Sequence, residues 1–324
     1  MFIPTLDLAG ERGEAAKQLV AALEDPGFLY IKNVQGYDPD ELLKHTEWFF
    51  SLPLDVRMSL ARREWNPKNS NRYHGYCPVI PGVADYKENV EFSLDLPQDD
   101  PCVLSNVFYE PNVWLPDSVS GAADFKEFVL KYYQSMSDLL LEVAHLLAIG
   151  LGKEENYFDE LFLHEPMSTL RLMHYPLREG LIPEAARKEG HVLSCLEHTD
   201  TVFVTFLCTF GYRGLQILEG GGSWSDVEVI PDCLIMNAGD ALVKTTGRFK
   251  ATRHRVVDYG VERFSVPFFA EPGYYADITQ YGAPISEEAI ALCSTDLPNQ
   301  YGPWLRERLN QKQFSDYPTG SIQE

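Results

Sequence analysis

Apolar residues recur at helical spacing over the first half of the chain and in short, turn-bounded runs over the second. Residues 11–23 predict one helix, and residues 38–50 a second whose Pro39 falls in the first turn. A third, short helix is predicted from Pro53 to about Leu60. The longest helical pattern covers residues 121–151. Its apolar positions include Phe125, Phe128, Val129, Tyr132, Leu139, Leu140, Val143 and Leu147, and it predicts a helix that backs a sheet. Strand-like stretches stand at 3–8, 27–33 and 90–96, with an Asn-, Pro- and Gly-rich loop at 66–81.

From Ser168 the pattern changes. Eight apolar runs, at 170–175, 192–198, 202–210, 215–218, 224–230, 234–245, 252–257 and 264–270, are separated by Gly, Pro and Asp. Such spacing predicts a double-sheet β architecture of the jelly-roll kind, so the fold class is α+β with helices flanking a β core. Residues 286–313 return to a helical pattern, and 315–324 read as a disordered end.

The candidate chemistry lies in the second half. His198-Thr199-Asp200 places two metal-capable side chains two residues apart, which on a strand puts both on one face. His254 follows in a second strand-like run after a gap of 53 residues. Two imidazoles and a carboxylate hold non-haem Fe(II) on one face and leave positions open for substrate and oxygen. The same residue types hold zinc in hydrolases, so the triplet alone does not name the chemistry.

Composition narrows the partners. With 45% hydrophobic and 12% aromatic residues, the 324-residue chain can build a large core. A formal charge of −21 and a pI near 4.7 argue against nucleic acid and anionic membrane surfaces. No secretory pattern opens the sequence, and no run approaches the roughly 20 apolar residues of a membrane helix. The six cysteines are scattered, and Cys195 and Cys208 read as small buried hydrophobes. A reducing, cytoplasmic setting is predicted.

Several stretches add up in order. Ile3-Pro4-Thr5-Leu6-Asp7, Asp25-Pro26-Gly27-Phe28-Leu29 and Phe49-Phe50-Ser51-Leu52-Pro53 stand near the N-terminus. Leu170-Arg171-Leu172-Met173-His174-Tyr175-Pro176 precedes His198-Thr199-Asp200. Gly214-Leu215-Gln216-Ile217, Asn237-Ala238-Gly239-Asp240-Ala241-Leu242, His254-Arg255-Val256 and Arg263-Phe264-Ser265 follow. The ordered set covers most of the chain and resembles the iron- and 2-oxoglutarate-dependent dioxygenases of the isopenicillin N synthase-like group.

That resemblance implies a double-stranded β-helix, cupin-like jelly-roll core at 166–275. An N-terminal helical and strand region at 1–165 and a C-terminal helical tail at 276–324 would pack on it as one compact unit. It implies Fe(II) held by His198, Asp200 and His254. It also implies 2-oxoglutarate held by Arg263 and Ser265, with a hydroxyl from Tyr175. Arg263 and Ser265 share a strand face with Pro267 and Phe269, and a guanidinium suits a carboxylate. Met173 stands where many members carry asparagine. The implied reaction uses O2, releases succinate and CO2, and activates a C–H bond of a small molecule by hydroxylation, desaturation or oxidative ring closure. Small-molecule biosynthesis with no obligate protein partner is the implied setting. Arg72, Tyr73, His74, Tyr76 and Phe269 are the candidate substrate contacts.

Three alternatives stand beside it. Isopenicillin N synthase itself uses no 2-oxoglutarate and turns its Arg-x-Ser pair to substrate, so a cosubstrate-independent oxidase fits the same motif. A non-catalytic ligand-binding member would have no need of His198, Asp200, His254 and Arg263 together. A zinc hydrolase would need a base beside the metal, yet strand alternation turns Glu197, the nearest one, away.

Overall fold

A computed structural model describes residues 2–279 and 298–312. Thirteen strands form two sheets among the described residues. From the N-terminal part come β1 (Thr5–Asp7), β2 (Phe28–Lys32), β3 (Gly75–Cys77) and β4 (Glu88–Phe92). The remainder supplies β5 (Thr169–Tyr175), β6 (Arg187–Lys188), β7 (His191–His198), β8 (Val204–Cys208), β9 (Leu215–Leu218), β10 (Trp224–Asp226), β11 (Leu234–Ala238), β12 (His254–Val257) and β13 (Arg263–Ala270). The large sheet runs β1-β2-β11-β8-β13-β5-β4-β3 and the small one β10-β9-β12-β7-β6. Among the described strand pairs, β1–β2 alone is parallel.

The helices are α1 (Arg12–Glu24), α2 (Pro39–Ser51), α3 (Leu54–Met58), α4 (Pro101–Ser105), α5 (Ala122–Gly150), α6 (Asp240–Thr246) and α7 (Tyr301–Lys312). Their starts follow local chemistry. Glu11 accepts from the Gly13 and Glu14 backbone N–H groups, and Asp38 from those of Asp40 and Glu41, so each carboxylate satisfies donors that the helix cannot. α1 and α5 approach closely at Gly150, where an added Cβ would lie 2.5 Å from the Ala16 carbonyl oxygen.

Strand alternation sorts the large sheet into two faces. Val90, Phe92, Leu170, Leu172, Val266 and Phe268 join the main core with Phe125, Val129, Tyr133 and Met136 of α5. Tyr133 and Phe268 meet edge to face at 5.3 Å. Burying each such ring contributes about 2–3 kcal/mol, so the helical side anchors the sheet. The opposite face packs Phe28, Tyr30 and Ile235 against Leu215, Ile217 and Val256 of the small sheet, forming a second, smaller core between the sheets. The candidate metal residues sit at one end of that interior.

Several predicted boundaries differ, among them the strand predicted at 90–96, which runs from Glu88 to Phe92. Residues 75–77, inside the predicted loop, form β3 because they pair with residues 89–91 of β4, a partner that local composition does not reveal. The predicted run 234–245 divides into β11 and α6 at Gly239, where an added Cβ would lie 2.0 Å from the Val202 carbonyl oxygen. An apolar run alone does not distinguish buried strand from buried helix. The run predicted at 224–230 stops as a strand at Asp226. α7 lies within the helix predicted at 286–313; residues 286–297, the 315–324 end and Cys293 lie outside the described residues. No helix among the described residues is long and apolar enough to cross a membrane.

Candidate metal centre

His198 closes β7, His254 opens β12, and the two are Cα partners across the sheet. Their imidazole centroids are 4.3 Å apart. Asp200 lies two residues beyond β7, with Oδ1 at 3.5 Å from His198 Nε2 and 3.6 Å from His254 Nε2. The three ligand atoms all lie within 4.8 Å of one another, the spacing of donors that could share one ion.

The surroundings orient each donor. His198 Nδ1 is 2.8 Å from the Leu196 carbonyl oxygen, and His254 Nδ1 is 3.1 Å from that of Thr252. A carbonyl only accepts, so Nδ1 carries the proton in each neutral ring and Nε2 keeps its lone pair for a metal. Thr205 Oγ1 donates to Asp200 Oδ2 at 2.6 Å and Asn237 Nδ2 donates to the same oxygen at 2.8 Å, leaving Oδ1 toward the histidines. Burial alone would raise the Asp200 carboxyl, but His254 and His198 hold it well below the usual carboxylate range. The Phe28 ring meets His254 edge-on at 5.6 Å.

Thr205, Asn237, Phe28 and Phe269 belong to one cross-strand row: Thr205 pairs with Asn237 and Phe269, and Asn237 with Phe28. That row puts Phe269 on the metal side of the large sheet. Arg263 and Ser265 face the same interior, paired with Tyr175 and Met173 of β5. The Arg263 guanidinium lies 4.2 Å from the Tyr175 ring centroid. The hydroxyls of Tyr175 and Ser265 both point at the Met173 sulfur, at 3.9 and 3.8 Å. Arg263 is 6% exposed; among the described residues its Nε has no partner, and its hydrogen bond runs from Nη1 to the Arg213 carbonyl at 3.4 Å. No carboxylate pairs with it among the described residues. Gly214 leaves room for it, since an added Cβ would lie 3.1 Å from Nη1. A buried cation without a counter-charge suits an anionic ligand, so the residues present fit the carboxylate of a keto acid.

The loop candidates divide. His74 is fully buried, within the field of Glu91, Arg62 and Arg171. Tyr73 packs edge-on against His74 and Phe108. Arg72 is exposed, and its backbone N–H bonds to Glu110. Tyr76 points to the helical side, where its ring meets Phe49 and its hydroxyl bonds to Glu88; it is not brought to the metal side. Cys208 is buried as expected, but Cys195 is only partly buried, with Sγ 3.9 Å from His198 Nδ1. Glu197 pairs with Arg253 at the surface, away from the ligands.

Sequence reading missed a charged cluster on the same inner face. Glu91 Oε1 accepts from Arg171 Nε at 2.7 Å, and Oε2 from Arg62 Nη2 at 2.6 Å, with Arg62 and Glu91 at 1% and 0% exposure. The Arg171 guanidinium stands 5.0 Å from the Phe269 ring centroid. Near it, burial pushes the Glu271 carboxyl up to about 8 against hydrogen bonds from Tyr301 and Thr169. Polar residues at alternate positions of β4 and β5 were the available signal.

The chain matches two family descriptions: the 2OG-Fe(II) oxygenase superfamily over residues 167–272, and the N-terminal region of non-haem dioxygenases in morphine synthesis over 3–117. It is 30% identical over 286 residues to the 2-oxoglutarate-dependent dioxygenase citB of Monascus ruber, covering 83% of this chain and 84% of that one. It is 28% identical over 290 residues to isopenicillin N synthase of Streptomyces clavuligerus, covering 86% and 87%. A Neurospora crassa protein crystallised with alpha-KG and 5-formyluracil superposes with a TM-score of 0.74 at 26% identity, over 95% of each chain. Its solved relatives carry the jelly-roll core that the two sheets form here. On fold, residues and relatives together, the chain belongs to the 2OG-Fe(II) oxygenase superfamily, which includes Fe(II)- and 2-oxoglutarate-dependent dioxygenases such as its citB relative.

Proposed function

We propose that His198, Asp200 and His254 hold Fe(II), and that Arg263, Ser265 and Tyr175 hold the distal carboxylate of 2-oxoglutarate. The observation that carries this is the buried Arg263 guanidinium, which no carboxylate meets among the described residues although it faces the same interior as the histidines. When bound, Fe(II), 2-oxoglutarate and O2 supply the oxidising power, with succinate and CO2 leaving and a substrate C–H bond activated. The protein's own part is positional. Thr205 and Asn237 aim Asp200, two backbone carbonyls accept from Nδ1 and turn each Nε2 toward the metal position, and the apolar Phe28 and Phe269 limit water around the reacting atoms.

The substrate class is a small molecule, oxidised by hydroxylation, desaturation or ring closure. The Neurospora crassa protein holding alpha-KG with 5-formyluracil, or with thymine, supports a small planar molecule. Phe269, His74 and Tyr73 are the substrate contacts we favour. Residues 166–275 form the catalytic core in this reading, with 1–165 and the described part of 276–324 packed around it. We read the setting as cytoplasmic small-molecule biosynthesis, without nucleic acid, membrane or obligate protein partner. The charge of −21 and the absence of a disulfide among the described cysteines support that reading.

Anaerobic reconstitution with Fe(II) and 2-oxoglutarate tests the core of the proposal. The visible metal-to-ligand charge-transfer band is expected in wild type and weakened in Arg263→Ala. Iron binding without the band would move the chain to the cosubstrate-independent branch represented by its isopenicillin N synthase relatives. No iron binding would overturn the metal assignment.

A further inference from the structure

Two side chains around the Glu91–Arg171 pair, Asn89 on the metal-facing wall and His74 beside the pair, are fully buried with every polar atom unpartnered among the described residues. Asn89 and His74 are each 0% exposed, and neither the Asn89 amide atoms nor the His74 ring nitrogens have a hydrogen-bond partner. Each such atom costs about 1–3 kcal/mol unless something else meets it, so four together need an explanation.

Their placement supplies one. Asn89 pairs with Met173, which pairs with Ser265, so the three form a row across β4, β5 and β13 on the interior face. Glu91, two residues along β4, shares Asn89's face, pairs in register with Gly75 and Arg171, and binds the Arg171 side chain that covers Phe269. His74 immediately precedes Gly75 and lies in the field of Glu91 and Arg171. Asn89 and His74 therefore flank the Glu91–Arg171 pair, one toward the Ser265 row and one toward the β3 edge.

The chemistry of the two groups is alike. A carboxamide offers donors and an acceptor, and a neutral imidazole offers one of each. Burial holds the His74 ring down to about 4, so it is neutral at pH 7. A carboxylate ligand would leave the Asn89 carbonyl oxygen facing another acceptor, beside the Glu91 carboxylate. An ammonium would leave the Asn89 N–H groups unmet, beside two guanidiniums. An uncharged group carrying both a donor and an acceptor satisfies these atoms, and an amide edge, with its N–H and C=O side by side, meets both ends of the Asn89 carboxamide at once.

Resting on the oxygenase reading above, we infer that Asn89 and His74 select a substrate presenting an amide, lactam or imide edge. Asn89 is a specificity residue for substrate, not a holder of the keto acid.

The test titrates the full chain, loaded anaerobically with Fe(II) and 2-oxoglutarate, in a calorimeter. The probes are 2-piperidone, glutarimide and uracil, set against benzoate and cyclohexanecarboxylate. At least one amide or imide probe is expected to bind, and Asn89→Leu and His74→Phe are each expected to weaken it about tenfold. The charge-transfer band is expected to persist in Asn89→Leu. Its thermal midpoint is expected to equal or exceed that of wild type, because unmet polar atoms are removed, which also shows that the variant folds. Binding of carboxylates alone, failure of every amide and imide probe, or unchanged binding in Asn89→Leu would each overturn the assignment. Loss of the band in Asn89→Leu would assign Asn89 to the keto acid and overturn it as well. A missing band in wild type instead removes the cosubstrate reading, while probe binding still decides this one.

Discussion

Asn237 donates its side-chain amide to Asp200 at 2.8 Å across 37 residues of chain, on the oxygen that also accepts from Thr205. The two bonds fix which carboxylate oxygen faces His198 and His254. A ligand left to rotate loses entropy when the metal binds, and here that cost is met on folding. Asn237→Leu and Thr205→Val are therefore expected to lower metal affinity by about 10–100-fold with the fold intact. Anaerobic calorimetry with Fe(II) or Mn(II) reads this, and wild-type affinity in both variants would show that Asp200 needs no such support.

Arg263 supplies charge and a planar fork to the interior from a strand flanked on both sides. Arg263→Lys keeps the charge and loses the fork, and lysine's shorter reach leaves the head beside the Tyr175 ring. The dissociation constant for 2-oxoglutarate is expected to rise at least about tenfold, with iron affinity unchanged. Equal cosubstrate affinity in the variant would mean that charge alone suffices.

Glu91 is a carboxylate at 0% exposure shared by Arg62 and Arg171. Glu91→Gln retains the shape and removes the charge, leaving two guanidiniums in the interior against a neutral amide. Breaking a buried ion pair in this way costs about 3–5 kcal/mol. Urea unfolding is expected to show that loss; a change below about 1 kcal/mol would mean that the arginines find other compensation.

Glu271 carries a pH signature. Its carboxyl is raised by burial to about 8 in the folded chain, against an ordinary value of 4.5. Between these values the folded state holds a proton that the unfolded state has released. Its contribution is thus fully present below about pH 4.5 and lost as pH rises toward about 8, at up to about 1.4 kcal/mol per pH unit. Denaturant midpoints measured from pH 5 to pH 8.5 are expected to fall more steeply in wild type than in Glu271→Gln. Parallel curves would place the ionised carboxylate in the fold.

The residues legible beforehand were those whose chemistry repeats at short range. The 121–151 stripe became α5 within a residue at each end, because 3.6-residue periodicity needs no distant partner. The strand beginning at Arg263 was legible through alternation, which put Arg263, Ser265, Pro267 and Phe269 on one face. β3 was not legible, because a three-residue strand that opens on glycine and carries a single strand former, Tyr76, is made by its pairing with β4. Tyr76 looked like a loop residue near substrate, yet pairing opposite Val90 turns its ring to the helices.

By itself, the sequence determined the periodicities and the donor types: where helices and strands run, and that two imidazoles, a carboxylate and an arginine were available. Tertiary structure alone decided which atoms meet. Register set His198 opposite His254 and brought Asn237 and Thr205 to a single oxygen of Asp200. Sheet order put Glu91 between arginines 29 and 80 residues away, and left Asn89 facing the interior with no hydrogen-bond partner among the described residues. The physical reason is range. Backbone propensity and amphipathic period act over a few residues, whereas a hydrogen bond or ion pair in a sheet depends on strand order and register, which the whole chain settles together.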